Sequence, residues 1–190
     1  MVLEQIDGDI FDSRFKNQHT CIVHQCNCVA IKPHGLSESI VSNFGQYTNV
    51  YSLRKPIVKR GNIATAATRS KPGEIHICHG SPNVAALFGQ FLFGSSDPNA
   101  RKYWQKTLNN DEELVKGYKN DTKNDRLVYF EKALDNLFNY FNQNLKIHTI
   151  VFPYRIGCGS AGGEWPKYRH QIEKFANKLT NYNVLIVKKN

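Results

Sequence analysis

Residues 151–165 read VFPYRIGCGSAGGEW, and the fold is decided there. A short apolar run at 147–152 breaks into a loop with four glycines, Gly157, Gly159, Gly162 and Gly163, and a helical pattern begins at Pro166. A strand, a glycine loop and a helix in that order form the junction at which an α/β sheet offers its backbone to a ligand. Glycine tolerates positive φ and close approach, so successive N–H groups can converge on an anion, and the helix start adds unpaired donors. The segment predicts a phosphate or diphosphate cradle. It is not a Walker A loop, because no Lys-Ser or Lys-Thr pair ends it. The spacing Gly157-Cys-Gly159-Ser-Ala-Gly162 fits a dinucleotide fingerprint, but Asn181 and Asn183 stand where its acid belongs, roughly 20 residues on.

Outward from this junction, short apolar runs alternate with helical periods. Residues 2–6, 20–26 (TCIVHQC), 74–78, 84–88, 147–152 and 183–187 read as strands bounded by Gly, Pro or Asn. Near-continuous apolar strands imply a sheet covered on both faces. Leu36, Ile40 and Phe44 predict a helix stopped by Gly45. Leu127, Phe130, Leu134, Leu137, Phe138 and Phe141 form the strongest helical stripe, and Tyr168, Ile172, Phe175 and Leu179 form another, with Pro166 suited to its first turn. Alternating helix and strand from 127 to 187 point to a doubly wound sheet. Residues 94–125 break the pattern. They are polar and Asn-rich, with one short helix expected around 103–108, and read either as a lid or mobile loop or as a solvated insertion.

Length and composition bound the rest. A chain of 190 residues with 41% hydrophobic side chains builds one core, so residues 1–190 are expected to be a single domain. No apolar run approaches the roughly 18 residues a membrane span needs. The start, MVLEQIDGDIFDSRF, lacks a secretory h-region, so the expectation is a soluble intracellular protein, cytoplasmic or nuclear, and a monomer. Five scattered cysteines (Cys21, Cys26, Cys28, Cys78, Cys158) are an odd number without zinc spacing and read as reduced thiols, with no metal or cofactor expected. The charge of +9 favours polyanions without choosing among nucleic acid, a phosphorylated metabolite and a merely soluble surface. Lysines scattered along 116–123 read as a solvated face.

Two further segments join the glycine loop. Residues 22–39, IVHQCNCVAIKPHGLSES, end a strand at His24 and Asn27 and pass through Pro33-His34-Gly35 into a helix. Gly8-Asp9-Ile10 follows the first strand. Together with Phe88-Gly89-Gln90 as a central strand and its exit, these segments in this order resemble the macro domain family. The resemblance is nearest to the branch of ADP-ribose 1''-phosphate phosphatases and ADP-ribosyl hydrolases of the TARG and DarG kind. It implies a three-layer α/β/α fold with a mixed, mostly parallel sheet and an ADP-ribose cleft at the strand ends. By position it implies that Asp9 holds the adenine amine, Ile10 lines the adenine pocket and Asn27 contacts the distal ribose. His24 matches a histidine of phosphatase-like members, with a hydrogen-bonded core histidine as the competing reading. Gly35 stands at the diphosphate, and Arg155, Ile156, Gly157, Cys158, Gly159, Ser160, Ala161, Gly162 and Gly163 wrap the phosphates and distal ribose.

The departures are as specific. KPHGLSES replaces the family's early glycine run, Ala161 stands where TARG-like members have an Asp, and Gln90 lies near their nucleophilic lysine. A covalent lysine–aspartate mechanism is therefore not supported. The residues left for chemistry are Asn27 to position the sugar and His34 or Glu164 to move protons, Glu164 being equally suited to capping a helix. Cys158 is a minor candidate nucleophile. Arg155, Arg54, Lys32, Lys55 and Arg60 are candidate phosphate partners, and Tyr51, Phe93 and Trp165 candidate stacking rings. The leading expectation is a hydrolase acting on ADP-ribosylated protein or nucleic acid, or on ADP-ribose 1''-phosphate. A non-catalytic ADP-ribose reader is second, and a basic nucleic-acid-binding domain using residues 54–60 is third.

Overall fold

The computed structural model describes residues 3–57, 61–97, 104, 111–143 and 146–189. Its strands are β1 (Glu4–Asp7), β2 (Thr20–Asn27), β3 (Ile75–Cys78), β4 (Asn83–Gln90), β5 (Thr149–Pro153) and β6 (Asn183–Lys188). They form one sheet in the order β1-β6-β5-β2-β4-β3. Every pairing is parallel except β3 with β4. The expected strands fall within two residues of the observed ones at each end, position 2 lying outside the described residues.

The helices among the described residues are α1 (Leu36–Phe44), α2 (Glu112–Lys119), α3 (Lys123–Phe141) and α4 (Trp165–Lys178). Helices α3 and α4 cover one face of the sheet through Phe130, Leu137, Phe141, Ile172 and Phe175, which meet Cys21 and Val23 of β2. Ile22 and Cys26, pointing the other way by the period-two rule, meet Ile40 of α1 with Val50, Tyr51, Ile63 and Leu114. The result is a three-layer α/β/α domain with a mixed, mostly parallel sheet. Double coverage is why β4 is buried along its whole length and reads as one apolar run. Helix α3 opens with a capping box between Thr122 and Asp125, and α1 stops at Gly45, whose φ of 103° disfavours any residue with a side chain.

The polar excursion differs from a solvated loop where it is described. The helix expected at 103–108 lies outside the described residues except for Trp104, which is buried in the α1-side core. Residues 112–119 form α2, which buries Leu114 and is capped by Asp111, whose carboxylate accepts from Leu114 N at 3.0 Å. Arg69 ties this helix down by ion pairs to Asp111 and Glu113, both at 2.7 Å. Asp121 is fully buried, whereas Lys116, Lys119 and Lys123 are exposed as expected. All five cysteines are buried and free. Among the described residues no helix is long and apolar enough to cross a membrane.

Candidate functional site

The carboxyl ends of β2, β4 and β5 open into a cleft of about 310 Å³. Its floor is Gln25 and Asn27 from β2 and Gln90 from β4, its walls the 34–37 turn, Phe93-Gly94 and residues 153–157 and 159–161. Gln25 Nε2 donates to Gln90 Oε1 at 2.9 Å and Gln90 Nε2 donates to the Leu92 carbonyl at 2.9 Å, while Gln25 Oε1 is buried with no partner among the described residues. Asn27 Oδ1 accepts from Val29 N and Ala30 N at 3.1 and 2.7 Å, which locks the amide. Its Nδ2 has no partner among the described residues and is the donor it presents.

Arg54 builds this turn and is not a phosphate ligand. It is 7% exposed, donates to the carbonyls of Ala30 (2.6 Å) and Asn27 (2.9 Å) and to Ser70 Oγ (3.0 Å), and lies over the Tyr51 ring. Buried carbonyls, not an anion, hold its donors. Arg60 lies outside the described residues; Lys32 and Lys55 are exposed and outside the cleft lining.

The glycine loop is shaped by steric need. Gly157 has φ 73°, and a Cβ there would overlap the Tyr168 ring and stand 2.6 Å from Gln25 Oε1. A Cβ on Gly163 would stand 2.5 Å from the Gly157 carbonyl. Inside the loop Cys158 N donates to Arg155 O, Gly162 N to Gly159 O and Gly163 N to Gly157 O, at 2.9, 2.9 and 3.0 Å. The N–H groups of Gly157, Gly159, Ser160 and Ala161 find no acceptor among the described residues, and all four residues line the cleft. Arg155, exposed at the cleft mouth, holds φ 58°, a conformation costly for a residue with a Cβ. Across from the loop, α1 begins at Gly35 with no side-chain cap, and His34, Gly35, Leu36 and Ser37 line the cleft. The first N–H groups of a helix have no partner within it.

Of the remaining sequence candidates, all but Tyr51 and Phe93 lie outside the cleft lining. His24 is 1% exposed, with Nδ1 3.3 Å from Ser37 Oγ and 3.6 Å from Cys26 Sγ, and burial pulls its pKa down to about 4. It is a neutral core histidine behind Ser37. The Cys158 thiol is buried, donates to the Ile156 carbonyl at 3.3 Å and is pushed up to about 11 by burial, which removes it as a nucleophile near neutrality. Glu164 occupies the N-cap position of α4 without a side-chain cap bond; it is half exposed and pairs with Lys167 at 2.8 Å, which lowers its pKa. Gly162 packs beside Ser95 and Ser96, behind the loop. Asp9 and Ile10 lie beyond the end of β1. Asp9 accepts from Phe11 N at 3.1 Å and pairs with Lys189 at 2.7 Å, the lysine lowering its pKa, and Ile10 is core. Trp165 packs on Tyr154, and Tyr154, Tyr51 and Phe93 line the cleft.

Ser37, Gln25 and the buried pair Arg126–Asp121 were not singled out in the sequence. The one available signal was Ser37 in the first turn after a Gly, facing a strand with His24 and Cys26 at period two. Among the described residues no three His, Cys, Asp or Glu side chains gather to hold a metal ion.

No family model and no curated protein matches this sequence. Solved structures do. A protein of unknown function from Bacteroides thetaiotaomicron aligns over 100% of this chain and 99% of its own, at TM-score 0.62 and 17% identity. The macrodomain of Mycobacterium tuberculosis DarG aligns over 98% and 96%, at TM-score 0.61 and 14% identity. The macrodomain of Thermus aquaticus DarG aligns over 99% and 97%, at TM-score 0.59 and 16% identity. With its sheet order, its two helical layers and the cleft at the strand ends, this chain has the macrodomain fold.

Proposed function

We propose that this protein binds ADP-ribose in the cleft and hydrolyses an ADP-ribose derivative there. One observation carries the reading: the unpaired N–H groups of Gly157, Gly159, Ser160 and Ala161 face the uncapped start of α1 across a single cleft. Two opposed donor sets suit a diphosphate, one wall for each phosphate. Asn27, with its oxygen locked by backbone, offers N–H to the hydroxyls of the distal ribose. Arg155 adds a bidentate cation at the mouth. The adenine extends toward Asp9 and Ile10, where its amine replaces Lys189 on the Asp9 carboxylate.

In the hydrolytic step water attacks the anomeric carbon of the distal ribose as the bond to the leaving group breaks. His34, the imidazole of the cleft lining, takes the water proton and passes one to the leaving group. Glu164, turned to solvent and Lys167, has no part. A second reading, binding without turnover, is favoured by the absence of any carboxylate among the described lining residues.

Calorimetric titration with ADP-ribose, ADP and AMP tests the binding. Affinity of about micromolar that needs the distal ribose supports it, and no heat with ADP-ribose overturns it. Turnover of ADP-ribosylated protein and DNA by wild type and His34→Ala then separates the readings. Hydrolysis lost with binding kept supports the enzyme; a wild type that binds and never turns over supports the reader.

A further inference from the structure

Arg126 is 1% exposed, and its guanidinium joins two segments that shape the cleft, 92–94 and the glycine loop. Nη1 donates to the Gly94 carbonyl at 2.7 Å and to the Ala161 carbonyl at 2.8 Å; Nη2 donates to the Leu92 carbonyl at 3.3 Å and to Asp121 Oδ2 at 2.6 Å. Asp121, with no exposure, accepts from Phe91 N and Leu92 N at 2.9 and 3.0 Å. Gly94 and Ala161 belong to two adjoining walls of the cleft, and one nitrogen bridges both.

We infer that Arg126, held by Asp121, is a positioning residue that sets the gap between the two walls and keeps the glycine loop free of acceptors. The second half follows from electrostatics. A loop that receives an anion through N–H groups must turn its carbonyl oxygens away, because their partial negative charge repels a phosphate. The carbonyls of Leu92, Gly94 and Ala161 point inward onto the guanidinium. Asp121 balances the buried charge, so the clamp is neutral as a unit, and removing either member strands the other. Lysine at 126 keeps the charge opposite Asp121, but the three donors of one ammonium cannot serve the four acceptors, Leu92 O, Gly94 O, Ala161 O and Asp121 Oδ2, that the two guanidinium nitrogens share.

The binding arm of the test rests on the ADP-ribose reading; the exchange arm does not. Amide hydrogen exchange is followed in ligand-free wild type and Arg126→Lys, with Arg126→Met as a second variant of similar bulk. The expected result is exchange about tenfold faster at the hydrogen-bonded amides of the two segments, Phe91, Leu92, Cys158, Gly162 and Gly163, with β2 and β5 as protected as before. ADP-ribose affinity falls by about tenfold in the same variants. Unchanged exchange in the loop, or equal loosening of loop and strands, overturns the inference. A wild type that binds no ADP-ribose overturns the functional reading, and the exchange result still decides the role of Arg126.

Discussion

Moderate acid should destabilise this protein through one side chain, His24. The ring lies on β2 among Cys26 and Ser37, with a hydroxyl and a thiol as its polar neighbours, and its pKa falls to about 4. In the unfolded chain the same imidazole titrates near 6.5. Between those values the unfolded state binds the extra proton, so stability is full above about pH 6.5 and declines as pH drops toward 4. Linkage over that interval gives a loss of about 2 kcal/mol between pH 7.5 and 5, and about 3 kcal/mol once the folded-state pKa is passed. The measurement is urea unfolding of wild type and His24→Gln at several pH values from 7.5 to 5. The variant loses stability at neutral pH for packing reasons, so the informative quantity is the slope. Wild type should lose about 2 kcal/mol more than the variant across the interval. Parallel slopes would refute the claim that a buried neutral histidine governs acid sensitivity.

Other substitutions probe the loop and its supports. Gly157→Ala meets both a left-handed φ and the Tyr168 ring and should cost about 2 kcal/mol, whereas Gly159→Ala, with open space around its Cβ, should stay within about 0.5 kcal/mol; thermal melts compare them. Arg54→Met strips two hydrogen bonds from the Asn27–Ala30 turn and a third from Ser70, so about 3 kcal/mol of stability and most ADP-ribose affinity should go together in denaturation and titration. Glu164→Gln removes an exposed ion pair outside the cleft and should leave ADP-ribose binding and any turnover unchanged, as titration and kinetics would register.

The sheet was legible because β2, β4, β5 and β6 are covered on both faces and carry long apolar runs, and α3 because six buried positions recur at helical spacing. The glycine loop was legible because Gly157 and Gly163 stand where a Cβ has no room. Helix α2 was not, since Leu114 is its one fully buried apolar residue and Arg69, far back in the chain, holds it. The Arg126–Asp121 clamp was hidden for a related reason. Charged side chains in a polar stretch read as solvated until tertiary structure supplies three carbonyls and two N–H groups. Arg54 is a similar case: the four basic residues of 54–60 resemble a phosphate patch, and only burial shows that Arg54 serves the backbone.

The seating of β1 constrains how the protein comes into being. Its ladder is with β6, Glu4 lying opposite Leu185 and Asp7 opposite Lys188. Strand β1 therefore waits until residues 183–188 have been made before it finds its neighbour, a strongly non-local contact. Until then both β1 and the outer edge of β5 are bare and open to wrong partners. Once β6 arrives it fills the gap between them, so one late event closes the sheet and brings the two ends of the fold side by side. A nascent chain halted before residue 183 should remain protease-sensitive at β1, and release of the last strand should protect both ends together.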